Sequence, residues 1–166
     1  MVSQTFQHAL LDVYHGEQFG EAVFESLLPR AESAEQRYVL GSLLQLESEG
    51  KAVIRPVLAK LGLSLNEDPE SRPRGLAGAQ AVMEMPWQDM FGAMAASIRG
   101  RGLPQYEELA TLIAPEEDTA AYALAVFMGR HERAILAVAE NIAAGRSDAV
   151  APVVEILHFP LIKQPG

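Results

Sequence analysis

The sequence predicts an all-α protein, folded as a single-domain antiparallel four-helix bundle over residues 1–166. Apolar side chains recur at steps of three and four residues over four long stretches, the spacing of a helix face buried in a bundle. Turn-forming residues separate these stretches. The chain is long enough for one domain with a sizeable core, and its 49% hydrophobic and 21% charged residues are ordinary for a soluble protein.

The first helix is predicted over residues 3–29, with Ser3 as its N-terminal cap and Pro29 near its end. Glu17 stands where the period calls for an apolar residue. Glu21 follows one turn later, close to the same face. The buried face is predicted to comprise Phe6, Leu10, Val13, Glu17, Gly20, Phe24 and Leu27.

The second helix is predicted over residues 34–61, capped by Ser33. Because its connection to the first helix is short, the two should be antiparallel neighbours. Glu47 interrupts the apolar face of this helix as Glu17 does in the first, so the two carboxylates are expected to share a layer. The buried face is predicted to comprise Leu40, Leu43, Glu47, Gly50, Ile54, Val57 and Leu61.

Residues 62–74 carry turn formers and charge without a period, which predicts a long crossover between helices 2 and 3. The third long helix is predicted over residues 86–99, with Pro86 in its first turn and the GRG at 100–102 as its end. Short accessory helices are predicted over 75–85, from Pro104 to Pro115, and over 147–157.

The fourth long helix is predicted over residues 118–144, capped by Asp118 or Thr119, and the tail 158–166 is expected to be extended. His131 stands in the middle of its apolar face, where an imidazole is costly unless a polar group pairs with it. The buried face is predicted to comprise Ala121, Leu124, Met128, His131, Ile135, Val138 and Ile142.

Glu17, Glu47 and His131 therefore fall on the buried faces of three helices. Two carboxylates and an imidazole in an apolar bundle suit a divalent metal, and with no cysteine in the chain the candidate metals are iron, manganese and zinc. The alternative is a metal-free core, in which Glu47 and His131 share a hydrogen bond and Tyr14 or water satisfies Glu17.

Two segments resemble proteins of the ferritin-like superfamily, with the nearest likeness to rubrerythrin-type proteins. GEQFGEA at 16–22 resembles their first-helix glutamate segment, and HERAILAVAENI at 131–142 resembles the stretch following their last-helix histidine. Di-iron members hold the metals with one Glu from each of two helices and a Glu-x-x-His pair from each of the others. The resemblance assigns Glu17, Glu47 and His131 as metal ligands.

The ligand set is degenerate by comparison with that pattern. Gly50 replaces the second histidine and is expected to leave open space, Met128 replaces the last-helix glutamate, and Glu84 and Asp89 are the nearest candidates for the third-helix glutamate. The resemblance implies an iron or manganese protein with one ion rather than two, and an enzyme would be a non-haem iron or manganese oxidoreductase. The alternative is a metal-free helical module for protein interaction or small-ligand binding.

The composition of the chain limits which partners and which cellular location are expected. Thirteen basic against 22 acidic residues give a net charge of −9, which repels nucleic acid. No apolar run reaches the roughly 18 residues of a membrane span. No secretory signal is visible, so a cytoplasmic location is expected. Apolar residues to spare, including the HFPLI tail, favour a homodimer.

Overall fold

A computed structural model describes residues 2–163, which form helices joined by turns and contain no strand. The all-α class is therefore confirmed. A 3₁₀ turn, Leu28–Arg30, follows the first helix, and a π-helical turn, Ile98–Gly102, follows the fourth. The α-helices are α1 Gln4–Leu27, α2 Ala34–Lys60, α3 Ser71–Val82, α4 Trp87–Ser97, α5 Leu103–Leu109, α6 Thr119–Ala143 and α7 Ala151–Val154.

The ends of the three longest helices follow their predicted caps. Ser3 and Ser33 each accept a hydrogen bond from the amide three residues later, at 3.1 Å in both cases. Asp118 accepts two bonds from first-turn amides of α6, at 3.1 and 3.2 Å. Gly145, with φ of +66°, adopts the left-handed conformation that ends α6.

The predicted crossover 62–74 is too long, because α3 already begins at Ser71. Pro73 falls in the first turn of α3, where a missing backbone donor costs nothing, since the first amides of a helix have no partner inside it. The turn-forming and charged residues of the segment gave no sign of this helix start.

The predicted helix end at 100–102 is also wrong. The chain passes from α4 through the π-helical turn directly into α5, so residues 87–109 form one continuous helical segment. Glycine makes a helix less favourable without forbidding it. A π-helical turn inserts an extra residue into the helix, which changes the face that α5 presents.

The helices pack in two groups of three. In one group α1 lies against α2 and α3, and in the other α6 lies against α4 and α5. Contacts of α2 with α6 and of α1 with α5 join the two groups. Between these helices the apolar core is divided into two clusters. One contains Phe24, Leu43 and Ile135; the other contains Leu10 and Ile54, among further residues. The boundary between the clusters is a layer of buried polar side chains.

The C-terminal segment is held at its start by one carboxylate. The only α-helix in the predicted stretch 147–157 is the short α7, and residues 158–163 are not helical. Glu49 of α2 accepts hydrogen bonds from the amides of His158 at 2.8 Å and Phe159 at 2.9 Å. The end of the predicted tail, 164–166, lies outside the described residues. Among the helices described, none combines the length and apolarity needed to cross a bilayer.

Candidate metal centre

The structure brings Glu17, Glu47 and His131 together in the polar layer between the two apolar clusters. Each offers one ligand atom, and these atoms lie within 4.8 Å of one another. Glu17 and His131 have no exposed surface, and Glu47 is 4% exposed. Glu17 Oε2 lies 3.1 Å from His131 Nε2. The expectation from helical periodicity that these three residues share a layer is confirmed.

The hydrogen-bond partners differ from those of the metal-free alternative. His131 pairs with Glu17 rather than with Glu47. The Tyr106 hydroxyl, rather than that of Tyr14, donates to Glu17, at 2.6 Å from Oε1. Tyr14 donates instead to the carbonyl of Leu65, at 3.0 Å, in the loop after α2. The ring of Tyr106 also stacks on that of His131, with centroids 6.2 Å apart.

A reciprocal pairing of glycines and glutamates makes room for the layer. A Cβ at position 50 of α2 would overlap the Glu17 carboxylate of α1 and lie 3.2 Å from His131 Nε2. A Cβ at position 20 of α1 would in turn overlap the Glu47 carboxylate of α2. The expectation of open space at Gly50 is therefore wrong, because the Glu17 carboxylate occupies it.

Two further glycines serve side chains that helical periodicity did not single out. Gly16 lies beneath the Tyr106 hydroxyl, and Gly102 of the π-helical turn lies beneath the Glu132 carboxylate. Glu132 is 8% exposed and immediately follows His131 on α6. The layer thus holds three carboxyl groups, one imidazole and one phenol.

Several polar atoms of the layer lack hydrogen bonds. Glu17 Oε2 and His131 Nδ1 are fully buried without one. In residues 2–163, no hydrogen bond reaches the carboxyl group of Glu47 or of Glu132. The Glu17 to His131 contact is an ion-pair distance without hydrogen-bond alignment, and His131 Nε2 also lies 3.4 Å from the carbonyl of Leu46. Buried polar groups are normally paired, so the layer is incompletely satisfied.

Burial dominates the electrostatics. It raises the pKa of Glu47 well above its usual range, and the neighbouring Glu17 adds to the effect. Burial also raises the pKa of Glu132 to about 7, against the opposing influence of His131. For His131 burial lowers the pKa, but the Glu17 carboxylate outweighs burial and the net shift is upward. Burial raises the pKa of Tyr106 as well. The cost of desolvating charge thus falls mainly on Glu47 and Glu132.

The other acidic residues considered from the sequence are engaged elsewhere. Glu21 forms a buried ion pair with Lys51 and accepts a hydrogen bond from Ser48 at 2.8 Å. Glu84 is exposed and pairs with Arg30 at 3.2 Å, and Asp89 is exposed at the start of α4. Neither Glu84 nor Asp89 supplies a carboxylate to the layer.

A cavity of about 520 Å³ opens onto one side of the layer. Its polar inner end is formed by Glu47, Glu132 and Tyr106. Its walls come from α1 and α3 on one side and from α4, the π-helical turn and α5 on the other. This volume is within the usual range for small-molecule sites. A ligand in the cavity would touch the same carboxyl groups that border the candidate metal site.

Tyr106 and Glu132 therefore border the candidate site, and helical periodicity did not indicate either of them. Glu132 lies one residue from the buried face, where a polar side chain usually meets solvent. The position of Tyr106 depends on the π-helical turn, which leaves no periodic signal.

Comparisons with protein-family models, with curated proteins and with solved structures gave no match to this chain.

Proposed function

We propose that the protein binds one iron or manganese ion through Glu17, Glu47 and His131 and acts as an oxidoreductase on a small molecule that enters through the cavity. The observation that carries this proposal is the convergence of two carboxylates and one imidazole within 4.8 Å in an otherwise apolar core. Oxygen and imidazole ligands together suit iron and manganese.

The dimensions of the group are close to those that a metal needs. Two atoms bonded to one ion at about 2.1 Å are at most about 4.2 Å apart. Ligand atoms within 4.8 Å of one another reach that range after small side-chain rotations. Glu17 Oε2 and His131 Nε2, at 3.1 Å, already have a suitable separation.

The charge and hydrogen bonding of the layer also favour a cation. Three carboxyl groups face a single imidazole, and Lys51, a buried residue one helical turn after Glu47, is engaged by Glu21. A buried charge is costly unless it is paired or coordinated. The unbonded Glu17 Oε2 and the carboxyl group of Glu47 would both gain a partner from a divalent ion.

We further propose that the four long helical segments form a ferritin-like bundle. The pair α1 and α2 and the pair formed by α6 with the continuous segment 87–109 enclose the polar layer, as the resemblance of residues 16–22 and 131–142 implies. Iron or manganese bound in the layer would supply one-electron redox chemistry and polarise a bound oxygen donor. The chain itself would orient the metal ligands through Tyr106 and exclude water with the two apolar clusters.

Metal analysis of protein purified without chelators tests this proposal. We expect about one equivalent of iron or manganese in the parent. Glu17→Gln and His131→Ala should each lower that content and the affinity for added Mn(II), because each removes a ligand. Glu49→Gln is the matched control, since Glu49 is a buried carboxylate of α2 outside the layer and should leave metal content unchanged.

A metal content that remains at trace level after anaerobic loading with Fe(II) or Mn(II) would overturn the proposal. His131→Ala should also lower the free energy of unfolding, by about 1–3 kcal/mol, since it leaves Glu17 without its buried partner. Loss of stability with unchanged metal occupancy would exclude His131 as a ligand.

The second candidate is a metal-free helical module that binds a small ligand. One observation favours it: without a metal, the Glu17 carboxylate already has the Tyr106 hydroxyl as a donor to Oε1 and the His131 ring 3.1 Å from Oε2. In that case the carboxyl groups of Glu47 and Glu132 would bind only the ligand in the cavity and no metal ion. The same metal analysis separates the two candidates.

A further inference from the structure

We propose that the cavity binds an amine carried on an apolar body, and that the Glu132 carboxylate holds the ammonium group. Glu132 is 8% exposed, lines the cavity and accepts no hydrogen bond within residues 2–163. A buried carboxylate without a partner gains more from a charged donor than from any neutral ligand group.

Space for this carboxylate is provided by the backbone. The Glu132 side chain lies over Gly102 in the π-helical turn, where any Cβ would overlap it. Arg133, the next residue, points elsewhere and pairs with Glu107 at 2.5 Å. The described part of the chain thus holds Glu132 at the inner end of the cavity without giving it an ion-pair partner.

The charges along the cavity show which end of a ligand lies inside. Asp12, Asp68, Arg74 and Arg101 lie toward its outer part, where two carboxylates and two guanidinium groups offset one another. The inner end has carboxyl groups without a basic residue beside them in the cavity lining. The net charge of −9 also favours the approach of a cation.

The walls between the two ends are apolar, so the remainder of the ligand should be an alkyl or aryl group. Six of the residues that form these walls are Phe19, Phe24, Val82, Met94, Ile98 and Ile135. An alkyl chain buried against such walls is removed from water, which favours binding. The ligand class is therefore an amphipathic amine, and only its role as a substrate rests on the proposed function.

Calorimetric titration of the full chain with octylamine in the presence of a chelator tests the binding. The parent should bind octylamine and should bind octanoate and octanol at least about tenfold more weakly. Glu132→Gln should weaken octylamine binding at least about tenfold, because the amide keeps the shape and loses the charge. Glu155→Gln, at an exposed glutamate outside the cavity lining, is the matched control.

Octanoate binding as tightly as octylamine, or an unchanged octylamine affinity in Glu132→Gln, would overturn the proposal. Folding of the variant is checked by thermal unfolding, and Glu132→Gln removes a buried carboxylate that has no partner. Binding of Mn(II) is measured separately on the same proteins. Glu132→Gln should retain Mn(II) while Glu17→Gln loses it, so failure of the amine site and failure of the metal site give different results.

Discussion

Two glycines in this core leave the space that a buried carboxylate occupies. The Glu17 carboxylate packs against Gly50 and the Glu47 carboxylate packs against Gly20, each across the contact between α1 and α2. A large acidic side chain is thereby buried without displacing the helix backbones. The glycines cost helix propensity, about 1 kcal/mol each relative to alanine, and that cost is offset by the packing of the layer.

Replacing Gly50 by alanine tests this arrangement. The added methyl group would overlap the Glu17 carboxylate, so Gly50→Ala should lower the free energy of unfolding by about 1–3 kcal/mol. Denaturant unfolding at neutral pH measures the change. Gly92→Ala is the control: its Cβ would meet Ala143 at an ordinary 3.9 Å, and it should be neutral or stabilising. Equal effects of the two substitutions would contradict the packing role of Gly50.

Helical periodicity predicted the three residues Glu17, Glu47 and His131, because each replaces an apolar residue on a buried face. Periodicity did not predict which side chains bond to one another, nor which glycine lies against each glutamate. The spacing Glu-x-x-Gly is visible in both α1 and α2, yet a glycine in a sequence carries no sign of what fills its space. Tyr106 meets Glu17 across 89 positions of chain, a contact that local patterns do not encode.

At the scale of elements, the π-helical turn 98–102 positions two side chains at the inner end of the cavity, Glu132 and Tyr106. It places Gly102 beneath Glu132 and sets the orientation of α5, from which Tyr106 reaches Glu17. π-helical insertions are frequently found at functional sites. Here the turn links two of the layer's side chains to one short stretch of backbone.

Replacing Gly102 by alanine tests the role of this turn. The added methyl group would overlap the Glu132 carboxylate, so Gly102→Ala should weaken octylamine binding. Gly100→Ala is the control, because a Cβ at that position would meet nothing within 4 Å. Equal octylamine affinities of the two variants would show that the turn does not position Glu132. Tyr106→Phe, which removes only the hydroxyl, should cost about 1.5–3 kcal/mol of stability, because Glu17 loses its donor.

The bounds of α1, α2 and α6 followed from their caps and periods, whereas those of α3 and α5 did not. Ser3, Ser33 and Asp118 offer side-chain acceptors that identify a helix start in the sequence. α3 has no side-chain cap, and α5 continues an existing helix, so neither has a start signal to recognise. Predictions from local sequence failed where tertiary packing alone sets the boundary.

At the scale of the whole molecule, the segment after α7 presents apolar side chains outward. Phe159 is 74% and Ile162 is 90% exposed, although the Phe159 amide is itself held by Glu49. Hydrogen bonds from the His158 and Phe159 amides lower the pKa of Glu49 despite the opposing effect of burial. The carboxylate thus remains charged and anchors the segment at neutral pH.

We expect this surface to join two copies of the chain. Light scattering at micromolar concentration should give the mass of a homodimer, and the double substitution Phe159→Ser with Ile162→Ser should shift it to a monomer. The substitutions Leu65→Ser and Leu76→Ser, at exposed apolar residues elsewhere, are the control and should leave the mass unchanged. A monomer mass for the parent would remove the expectation of a dimer.

The reciprocal pairs Glu17 with Gly50 and Glu47 with Gly20 also fix the alignment of α1 along α2. If α1 slid by one turn, Glu17 would face Leu46 or Ile54, both of which are fully buried and leave no room for a carboxylate. An apolar seam alone tolerates such slippage, because one aliphatic side chain substitutes for another. The two acid-bearing turns therefore favour one register of α1 along α2 over the registers one turn away.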